Sequence, residues 1–271
     1  MNKTILITGA SSGIGKATAK LFHEKGWNVV ATMRNPDAET ELNKLDNVLV
    51  TRLDVMDGSS VKAAVDLAVN EFGKIDALLN NAGYGAYGPL EAFPMDAIER
   101  QFDTNVIGLL SVTKAVLPHM RAANSGVIVN VSSIGGKITF PLGSLYHGTK
   151  FAVEGISEAL HYELEPIGIK MKIVEPGMIK TDFGGRSFDF RNDEAMSEYQ
   201  ETVAGLMAAF GAVSEGGSEP IVVAEVIWDA VTDGTSTLRY TAGDDAAEYM
   251  KNRIEQDDET FISGVKAQLG M

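Results

Sequence analysis

A tyrosine and a lysine in the segment YHGTK have the side-chain types and the spacing of an acid–base pair. Tyr146 and Lys150 are four residues apart, so on a helix they share one face and the ammonium can lie near the phenol. Ser133 ends the apolar segment VIVNVSS, thirteen residues before the tyrosine. If that segment is a strand of an open α/β sheet, Ser133 lies at its carboxyl end, where such sheets bind their ligands. These three side chains are therefore the candidate catalytic group.

Three other polar residues, Ser132, His147 and Asn105, are not part of this candidate catalytic group. Ser132 precedes Ser133, and the alternation of a strand turns it to the opposite side. His147 follows the tyrosine and points about a quarter turn away on a helix, so we interpret it as a packing or surface residue. Asn105 in DTNVIG falls inside a predicted helix, although asparagine is a poor helix former. It has either a functional role or a solvent-facing position.

The segment TGASSGIG near the N-terminus has two interpretations. It contains G-x-S-x-G, the pattern of a hydrolase nucleophile elbow, in which Ser11 would be the nucleophile. It also fits a glycine-rich turn that presents backbone N–H groups to a phosphate at a helix N-terminus. An elbow needs an oxyanion loop from an earlier strand, and this segment follows the first one. Gly9, Gly13 and Gly15 suit the phosphate turn, and Ser11 and Ser12 then offer hydroxyls to a pyrophosphate.

The ends of later strands supply partners for the rest of a dinucleotide. After the second predicted strand, ATMRNP carries Arg34 and no acidic residue for a ribose 2′-hydroxyl. Arg34 either pairs with a 2′-phosphate or is a solvated surface arginine. Asp54 ends the third strand, where it either accepts a bond from an adenine amino group or caps a helix. The segment NNAG, residues 80–83, either lies along the cofactor's sugar or forms an ordinary tight turn.

The composition of the chain limits which partners it can bind and in which cellular compartment we expect it. The chain has 271 residues, 45% of them hydrophobic, and we expect one α/β domain over residues 1–271. The formal net charge of −14 repels nucleic acid and anionic lipid, so we expect neither as a partner. The chain has no cysteine for a disulfide or a thiolate metal site, and we predict no bound metal. The sequence contains no apolar run typical of a signal peptide or a membrane span, so we expect a cytoplasmic protein.

The elements that must position these residues follow from hydrophobic periodicity. Short β-rich apolar segments alternate with segments of helical spacing, which predicts a doubly wound, mostly parallel sheet covered on both faces. Strands are expected near residues 3–8, 28–33, 48–53, 76–80, 126–132, 170–175 and 237–241. Helices are expected near residues 14–25, 58–72, 96–121, 145–166 and 220–232, with a weaker one near 37–45.

Two segments interrupt this alternation. Residues 178–218 form an unusually long connection, and we expect residues 184–218 to be a mobile lid over the substrate. The apolar side chains in and beside this segment would have little purpose in a solvated loop: Phe183, Phe188, Phe190, Met207 and Phe210. The acidic tail, about residues 244–271, is predicted to form one or two surface helices.

In this order, TGASSGIG, LDV, NNAG, TN, NVSS, YHGTK and PGMIKTD resemble the motifs of the classical short-chain dehydrogenase/reductase family. The resemblance covers about residues 1–183 and continues more weakly to about residue 241. It implies a single Rossmann-like domain, a nicotinamide cofactor, a homodimer or homotetramer, and hydride transfer to or from a carbonyl or alcohol carbon. By match it implies a catalytic set of Asn105, Ser133, Tyr146 and Lys150. It implies cofactor contacts from Gly9, Ser11, Ser12, Gly13, Ile14, Gly15, Arg34, Asp54, Val55, Asn81, Ala82, Gly83, Tyr146, Lys150, Pro176, Gly177, Ile179 and Thr181.

The resemblance also implies a role for each catalytic residue. Tyr146 would exchange a proton with the substrate oxygen, its pKa lowered about three units from about 10 by Lys150 and the oxidised nicotinamide. Ser133 would hold that oxygen in place. Lys150 would also bind the nicotinamide ribose, and Asn105 would anchor a water that links Lys150 to solvent.

These observations lead to one expected function and two alternatives. We expect a ketone or aldehyde reductase, or alcohol dehydrogenase, that acts on a small carbonyl or alcohol substrate. Arg34 favours NADP(H), although Ser12 stands where many NADP-preferring members carry a basic residue, and NAD(H) is the alternative cofactor. A non-catalytic dinucleotide sensor on the same fold is the second hypothesis, because a fold does not fix a function. A serine hydrolase that uses Ser11 is the third.

Overall fold

The computed structural model describes residues 2–181, 185 and 187–270. The strands in these residues are β1 (Thr4–Ile7), β2 (Asn28–Met33), β3 (Val48–Arg52), β4 (Ala77–Asn80), β5 (Gly85–Tyr87), β6 (Gly126–Val131), β7 (Ile169–Pro176), β8 (Phe188–Phe190) and β9 (Arg239–Ala242). The α-helices are α1 (Gly13–Glu24), α2 (Gly58–Phe72), α3 (Met95–Phe102), α4 (Gly108–Ala123), α5 (Ser144–Leu164), α6 (Gln200–Gly216), α7 (Pro220–Thr232), α8 (Asp244–Glu255) and α9 (Asp258–Gln268).

Seven of the described strands form a parallel sheet in the order β3-β2-β1-β4-β6-β7-β9. From β1 the chain builds outward to β3 and then returns to add β4 on the other side. Ligands of open sheets bind outside the carboxyl ends of the strands at such a change of direction. The predicted doubly wound, Rossmann-like fold is confirmed, and each of the seven strands ends within two residues of its expected limits.

Alternate side chains of the central strands enter two apolar layers on opposite faces of the sheet. Ile5 and Ile7 of β1 pack into the layer that contains α1 and α7. Leu6 packs into the layer that contains α2 and α4. Both layers exclude water from the strands, which explains why the strands have continuous apolar sequences. The central strands are therefore fixed in position, and the loops at their carboxyl ends start from a rigid support.

The weak helix predicted near residues 37–45 is wrong. Two short 3-10 turns replace it, Pro36–Ala38 and Leu42–Lys44. The buried carboxylate of Glu39 accepts the backbone N–H groups of Glu41 and Leu42 at 2.8 and 3.0 Å. Because these N–H groups bond to a side chain, they are not available to a regular helix.

The other differences concern the middle helix and the two irregular segments. The helix expected over residues 96–121 consists of α3, a π-helical turn (Asp103–Ile107) and α4. The long connection contains β8 and α6, and β8 pairs in parallel with β5. The C-terminal tail forms two helices, α8 and α9. None of the described helices combines the length and the apolar character needed to cross a membrane.

Candidate active site

The turn between β1 and α1 depends on glycine. Gly9 and Gly13 have φ angles of +69° and +53°, which residues with a side chain rarely adopt. A Cβ atom on Gly15 would collide with the backbone oxygen of Gly9. Ser11 is exposed, and Ser12 precedes the first turn of α1 without capping it through its side chain. That turn has no acidic residue, so the positive end of the helix suits an anion.

Two other predicted cofactor segments lie against this turn. The side-chain amide of Asn81, after β4, donates to the backbone oxygens of Thr8 and Gly9 at 3.0 and 3.2 Å. Thr181, after β7, lies beside Gly13, because a Cβ on that glycine would be 3.1 Å from the threonine methyl. The segments after β1, β4 and β7 therefore meet at the carboxyl edge of the sheet.

Thr8 is a supporting residue that is absent from the predicted site. Its hydroxyl accepts the N–H groups of Asn81 and Ala82, each at 3.0 Å, and donates to the backbone oxygen of Leu79 at 3.3 Å. Gly83 follows, and a Cβ there would lie 3.0 Å from Oδ1 of Asn105. A buried hydroxyl at the end of an apolar strand was the available signal for Thr8, since such a group needs partners.

The segment after β3 does not cap α2 through Asp54. The Asp54 carboxylate accepts the N–H of Met56 at 3.1 Å. The cap of α2 is Asp57, which accepts the N–H groups of two residues in the first turn. The helix-cap interpretation of Asp54 is therefore wrong. Val55 is buried against Gly108, where a Cβ would lie 2.6 Å from the valine methyl.

Arg34 is a cation two residues after Thr32, whose backbone oxygen accepts the N–H of Ala10 in the glycine turn. It directly follows β2, is exposed, and forms no ion pair with any residue that the structure describes. The neighbouring Lys16, at the start of α1, is held by Glu39 and Glu41 at 3.3 and 2.7 Å. Lys16 is thus neutralised by carboxylates, whereas the Arg34 guanidinium is available to an anionic group.

The structure brings the candidate catalytic side chains together where β6 meets α5. The Ser133 hydroxyl accepts the N–H of Gly135 at 3.0 Å and forms a hydrogen bond with the Tyr146 phenol. The Lys150 ammonium lies 5.7 Å from the centroid of the Tyr146 ring and donates to the backbone oxygen of Val131 at 2.8 Å. Ser132 is buried, and its hydroxyl oxygen would lie 2.6 Å from a Cβ on Gly136.

Burial controls the proton affinities of this group. It raises the pKa of Tyr146 to about 12, against the opposing effect of the Ser133 hydrogen bond. It lowers the pKa of Lys150 to about 8, against the opposing charge of Glu154. The direction for Tyr146 is opposite to the expected lowering, because removal of the phenolate from water outweighs its hydrogen bond. Tyr146 therefore keeps its proton at neutral pH, and Lys150 is mainly charged.

Asn105 lies in the π-helical turn and is only 3% exposed. Its amide nitrogen donates to the backbone oxygen of Tyr84 at 2.9 Å and to the Thr149 hydroxyl at 3.0 Å. Its oxygen accepts the N–H of Tyr84 at 3.1 Å. The solvent-facing interpretation of Asn105 is therefore wrong. The side chain joins the segment before β5 to the helix that carries Tyr146 and Lys150.

His147 is a buried packing residue that fixes the loop between Ser133 and Tyr146. Its Nδ1 donates to the backbone oxygen of Gly135 at 2.9 Å, and its Nε2 accepts the N–H of Phe140 at 3.0 Å. These two partners require the neutral ring, and burial lowers the pKa of His147 in agreement. A protonated ring would place two N–H donors against each other at Phe140.

Apolar side chains enclose the Tyr146 ring. The Tyr87 ring lies 5.5 Å from it and 5.4 Å from the Phe188 ring. Leu206 of α6 is buried in the same cluster, which Leu142 and Phe190 extend. The sequence predicts a role for Phe188 and Phe190 but carries no signal for Tyr87 and Leu206, whose contacts join distant segments. Met207 is 44% exposed, and Phe183 and the side chain of Phe210 lie outside the described residues.

The sequence model of a family described as short chain dehydrogenase matches residues 3–192. The chain belongs to this family. It is 45% identical over 244 residues to an uncharacterized oxidoreductase of Schizosaccharomyces pombe, with 88% of this chain and 100% of the relative covered. It is 44% identical over 179 residues to the 3-ketodihydrosphingosine reductase of Bacteroides thetaiotaomicron, with 66% and 65% covered. The chain is thus an oxidoreductase of the short-chain dehydrogenase family.

Solved structures agree over almost the whole chain. A short-chain dehydrogenase from Streptomyces avermitilis has a TM-score of 0.84 at 31% identity, with 100% of this chain and 98% of that chain covered. A family member from Burkholderia phymatum in complex with NAD has a TM-score of 0.81 at 27% identity, with 94% and 93% covered. ElxO with NADP bound has a TM-score of 0.74 at 27% identity, with 94% and 100% covered.

The same substitution at two helical glycines should have opposite effects. We expect Gly15→Ala to lower the free energy of unfolding by about 1–3 kcal/mol, because the new Cβ collides with Gly9 and Asn81. Gly155 is exposed in α5 with no atom within 4 Å of a Cβ. Gly155→Ala should therefore raise the free energy of unfolding by about 0.5–1 kcal/mol. Urea denaturation measures the free energy of unfolding of both variants. Equal changes in the two variants would disprove the close packing of Gly15 against the turn.

Proposed function

We propose that this protein is an NADP(H)-dependent reductase of ketones or aldehydes. The observation that carries the proposal is the protonated Tyr146 phenol, hydrogen-bonded to Ser133 beside the Lys150 ammonium. A phenol beside a hydroxyl and an ammonium can give a proton to a substrate oxygen, which carbonyl reduction requires. A non-catalytic sensor on the same fold would have no need of this group.

Each member of the group would contribute one part of the reduction. The Ser133 Oγ accepts from Gly135 and shares a hydrogen bond with Tyr146, so its hydroxyl would turn from the phenol to donate to a carbonyl oxygen. Tyr146 would give its proton to the same oxygen as the carbon–oxygen π bond breaks and a carbon–hydrogen bond forms. Lys150 would stabilise the phenolate that remains, and burial strengthens this interaction. A bound nicotinamide supplies the hydride for reduction and accepts it in the reverse direction.

The residues at the carboxyl edge of the sheet fit a dinucleotide. The positive φ angles of Gly9 and Gly13 shape the turn, and the N-terminus of α1, with no acidic residue in its first turn, suits a pyrophosphate. Asn81 and Thr181 border that turn. Arg34 would pair with a 2′-phosphate, which favours NADP(H) over NAD(H). Among related structures, ElxO with NADP bound and the Burkholderia member with NAD support this cofactor class.

We propose an apolar carbonyl compound as the substrate. The walls around the Tyr146 ring are formed by Tyr87, Leu142, Phe188 and Leu206. Such walls desolvate apolar groups and offer no countercharge for an ionic substrate. The name of the Bacteroides relative, 3-ketodihydrosphingosine reductase, supports a keto substrate. The physiological substrate would place its carbonyl oxygen near Ser133 and its apolar part against the aromatic rings.

The lid expected over residues 184–218 is part of the same proposal. Its described part is joined to the body by the pairing of β5 with β8 and by the ion pair between Arg100 and Asp189. Tyr199 donates to Glu91 at 3.2 Å. Leu206 packs against the aromatic rings at the site. These contacts support a segment that covers the substrate, in a single domain that spans residues 1–271.

We also propose that the protein is a homodimer or homotetramer. Phe102, Ile107 and Phe151 are 37%, 56% and 46% exposed. Phe102 lies against Gly148, one turn before Phe151 on α5. An exposed apolar surface shared by neighbouring helices supports association with a second copy. The expected cytoplasmic location stays a prediction.

Replacing the proton donor should separate chemistry from binding. We expect Tyr146→Phe to lower kcat for ketone reduction about 10²- to 10⁴-fold, because only the transferable proton is lost. NADPH affinity should be unchanged. Tyr162 lies on the same helix and is 69% exposed, so Tyr162→Phe is the matched control and should keep full activity. Steady-state kinetics and calorimetric titration decide the outcome, and an active Tyr146→Phe variant would remove Tyr146 from the mechanism.

Replacing Arg34 should change the preference of the protein for NADPH over NADH. We expect wild-type kcat/KM to favour NADPH over NADH by about ten- to hundredfold, the effect of one hydrogen-bonded charge pair. Arg34→Ala should remove most of this preference, chiefly by weakening use of NADPH. Arg121→Ala, at an exposed site in the last turn of α4, is the control and should keep the wild-type preference for NADPH. A preference that survives Arg34→Ala would show that Arg34 is only a surface residue.

A further inference from the structure

The loop that leaves β7 is fixed by residues from later parts of the chain. The N–H of Gly177 donates to the backbone oxygen of Ala242 at 3.0 Å. The N–H of Met178 donates to the carboxylate of Asp245 at 2.7 Å. The backbone of Ser218 exchanges two hydrogen bonds, with the oxygen of Met178 and the N–H of Lys180, each at 2.9 Å. This loop carries Gly177, Ile179 and Thr181, which are among the predicted cofactor residues.

Asp245 contacts the loop directly, which explains why position 177 is a glycine. A Cβ on Gly177 would lie 2.6 Å from the carboxylate carbon of Asp245. A side chain at this position would therefore displace either the loop or the carboxylate. The bond to Met178 joins an N–H to an ionised oxygen, a type stronger than a bond between neutral groups.

The C-terminal helices also contact the catalytic side of the site. Ala246 of α8 and Phe261 and Val265 of α9 are buried against Ile134 and Ile138. Those two isoleucines lie in the loop that begins at Ser133 and ends before α5. The tail therefore packs on the catalytic loop while Asp245, in its first turn, holds the loop after β7.

We infer that Asp245 is a positioning residue for the dinucleotide-binding loop over residues 176–181. Its carboxylate fixes the Met178 N–H, and this fixes the backbone that leads to Ile179 and Thr181. Thr181 in turn borders Gly13 in the glycine turn, so a shift of the loop would move Thr181 relative to that turn. The inference rests on the proposed function, because it assigns this loop to the dinucleotide.

A comparison with the adjacent residue, Asp244, distinguishes this positioning role from a general stabilisation of α8. Asp244 and Asp245 both lie in the first turn of α8, where either carboxylate favours the positive end of the helix. Asp244 is exposed, whereas Asp245 is half-buried and bonds to Met178. Loss of helix support would affect both alanine variants, whereas loss of the loop contact affects only one of them.

The test compares Asp245→Ala, Asp245→Asn and Asp244→Ala with wild type. Without dinucleotide, hydrogen exchange of the Met178 amide should accelerate in Asp245→Ala and stay at the wild-type rate in Asp244→Ala. The Kd for NADPH should rise about tenfold in Asp245→Ala, the loss of one hydrogen bond to a charged group. Asp245→Asn keeps an acceptor oxygen and should give intermediate values. KM for NADPH should change more than kcat, since Asp245 does not touch the reacting atoms.

Two results would overturn the inference. One is equal exchange and equal NADPH affinity in Asp245→Ala and Asp244→Ala, and the other is an Asp245→Asn variant no better than Asp245→Ala. If Asp245→Ala fails to fold, the comparison of Asp245→Asn with Asp244→Ala decides by the same measurements. A wild-type protein that binds neither NADPH nor NADH would overturn the proposed function instead. The exchange comparison, made without dinucleotide, would still decide whether Asp245 holds the loop.

Discussion

The hydrogen bond between Ser133 and Tyr146 joins the carboxyl end of β6 to the start of α5, and the site is arranged around this contact. It requires the intervening loop to fold back on the helix, which His147 achieves by bonding to Gly135 and Phe140. The neutral imidazole thus has a structural role beside the candidate catalytic tyrosine. Because α5 also carries Lys150, one helix and one strand end determine the relative positions of all three candidate catalytic side chains.

Burial of this contact has a chemical consequence. It favours the uncharged form of both Tyr146 and Lys150, so the pKa of the phenol rises while the pKa of the ammonium falls. A phenol of this kind holds its proton until charge develops on a substrate oxygen next to it. In the proposed reduction, the low dielectric would then strengthen the interaction of the new phenolate with Lys150. The same apolar surroundings would favour the apolar substrate proposed above, so the proton affinities and the proposed substrate class have one physical cause.

Most of the fold can be predicted from the sequence, because buried parallel strands have continuous apolar sequences. The pair of Tyr146 and Lys150 can also be predicted, because the spacing in YHGTK places both residues on one helical face. Contacts between distant segments are not visible in such local patterns. Met178 and Asp245 are 67 residues apart, and Leu206 reaches the site from a helix rich in alanine and glycine with no clear apolar stripe. The error at residues 37–45 has a different cause. The Glu39 carboxylate competes locally for backbone N–H groups, which hydrophobic periodicity does not detect.

Transfer of deuterium tests the proposed reaction most directly. The protein would be incubated with NADPH deuterated at the transferable position of C4 and with a panel of apolar ketones and aldehydes, and the products analysed by mass spectrometry. We expect at least one alcohol that carries a single deuterium on the former carbonyl carbon. If NADPH binds and no member of the panel acquires deuterium, the result would contradict a reductase and favour a dinucleotide-binding sensor.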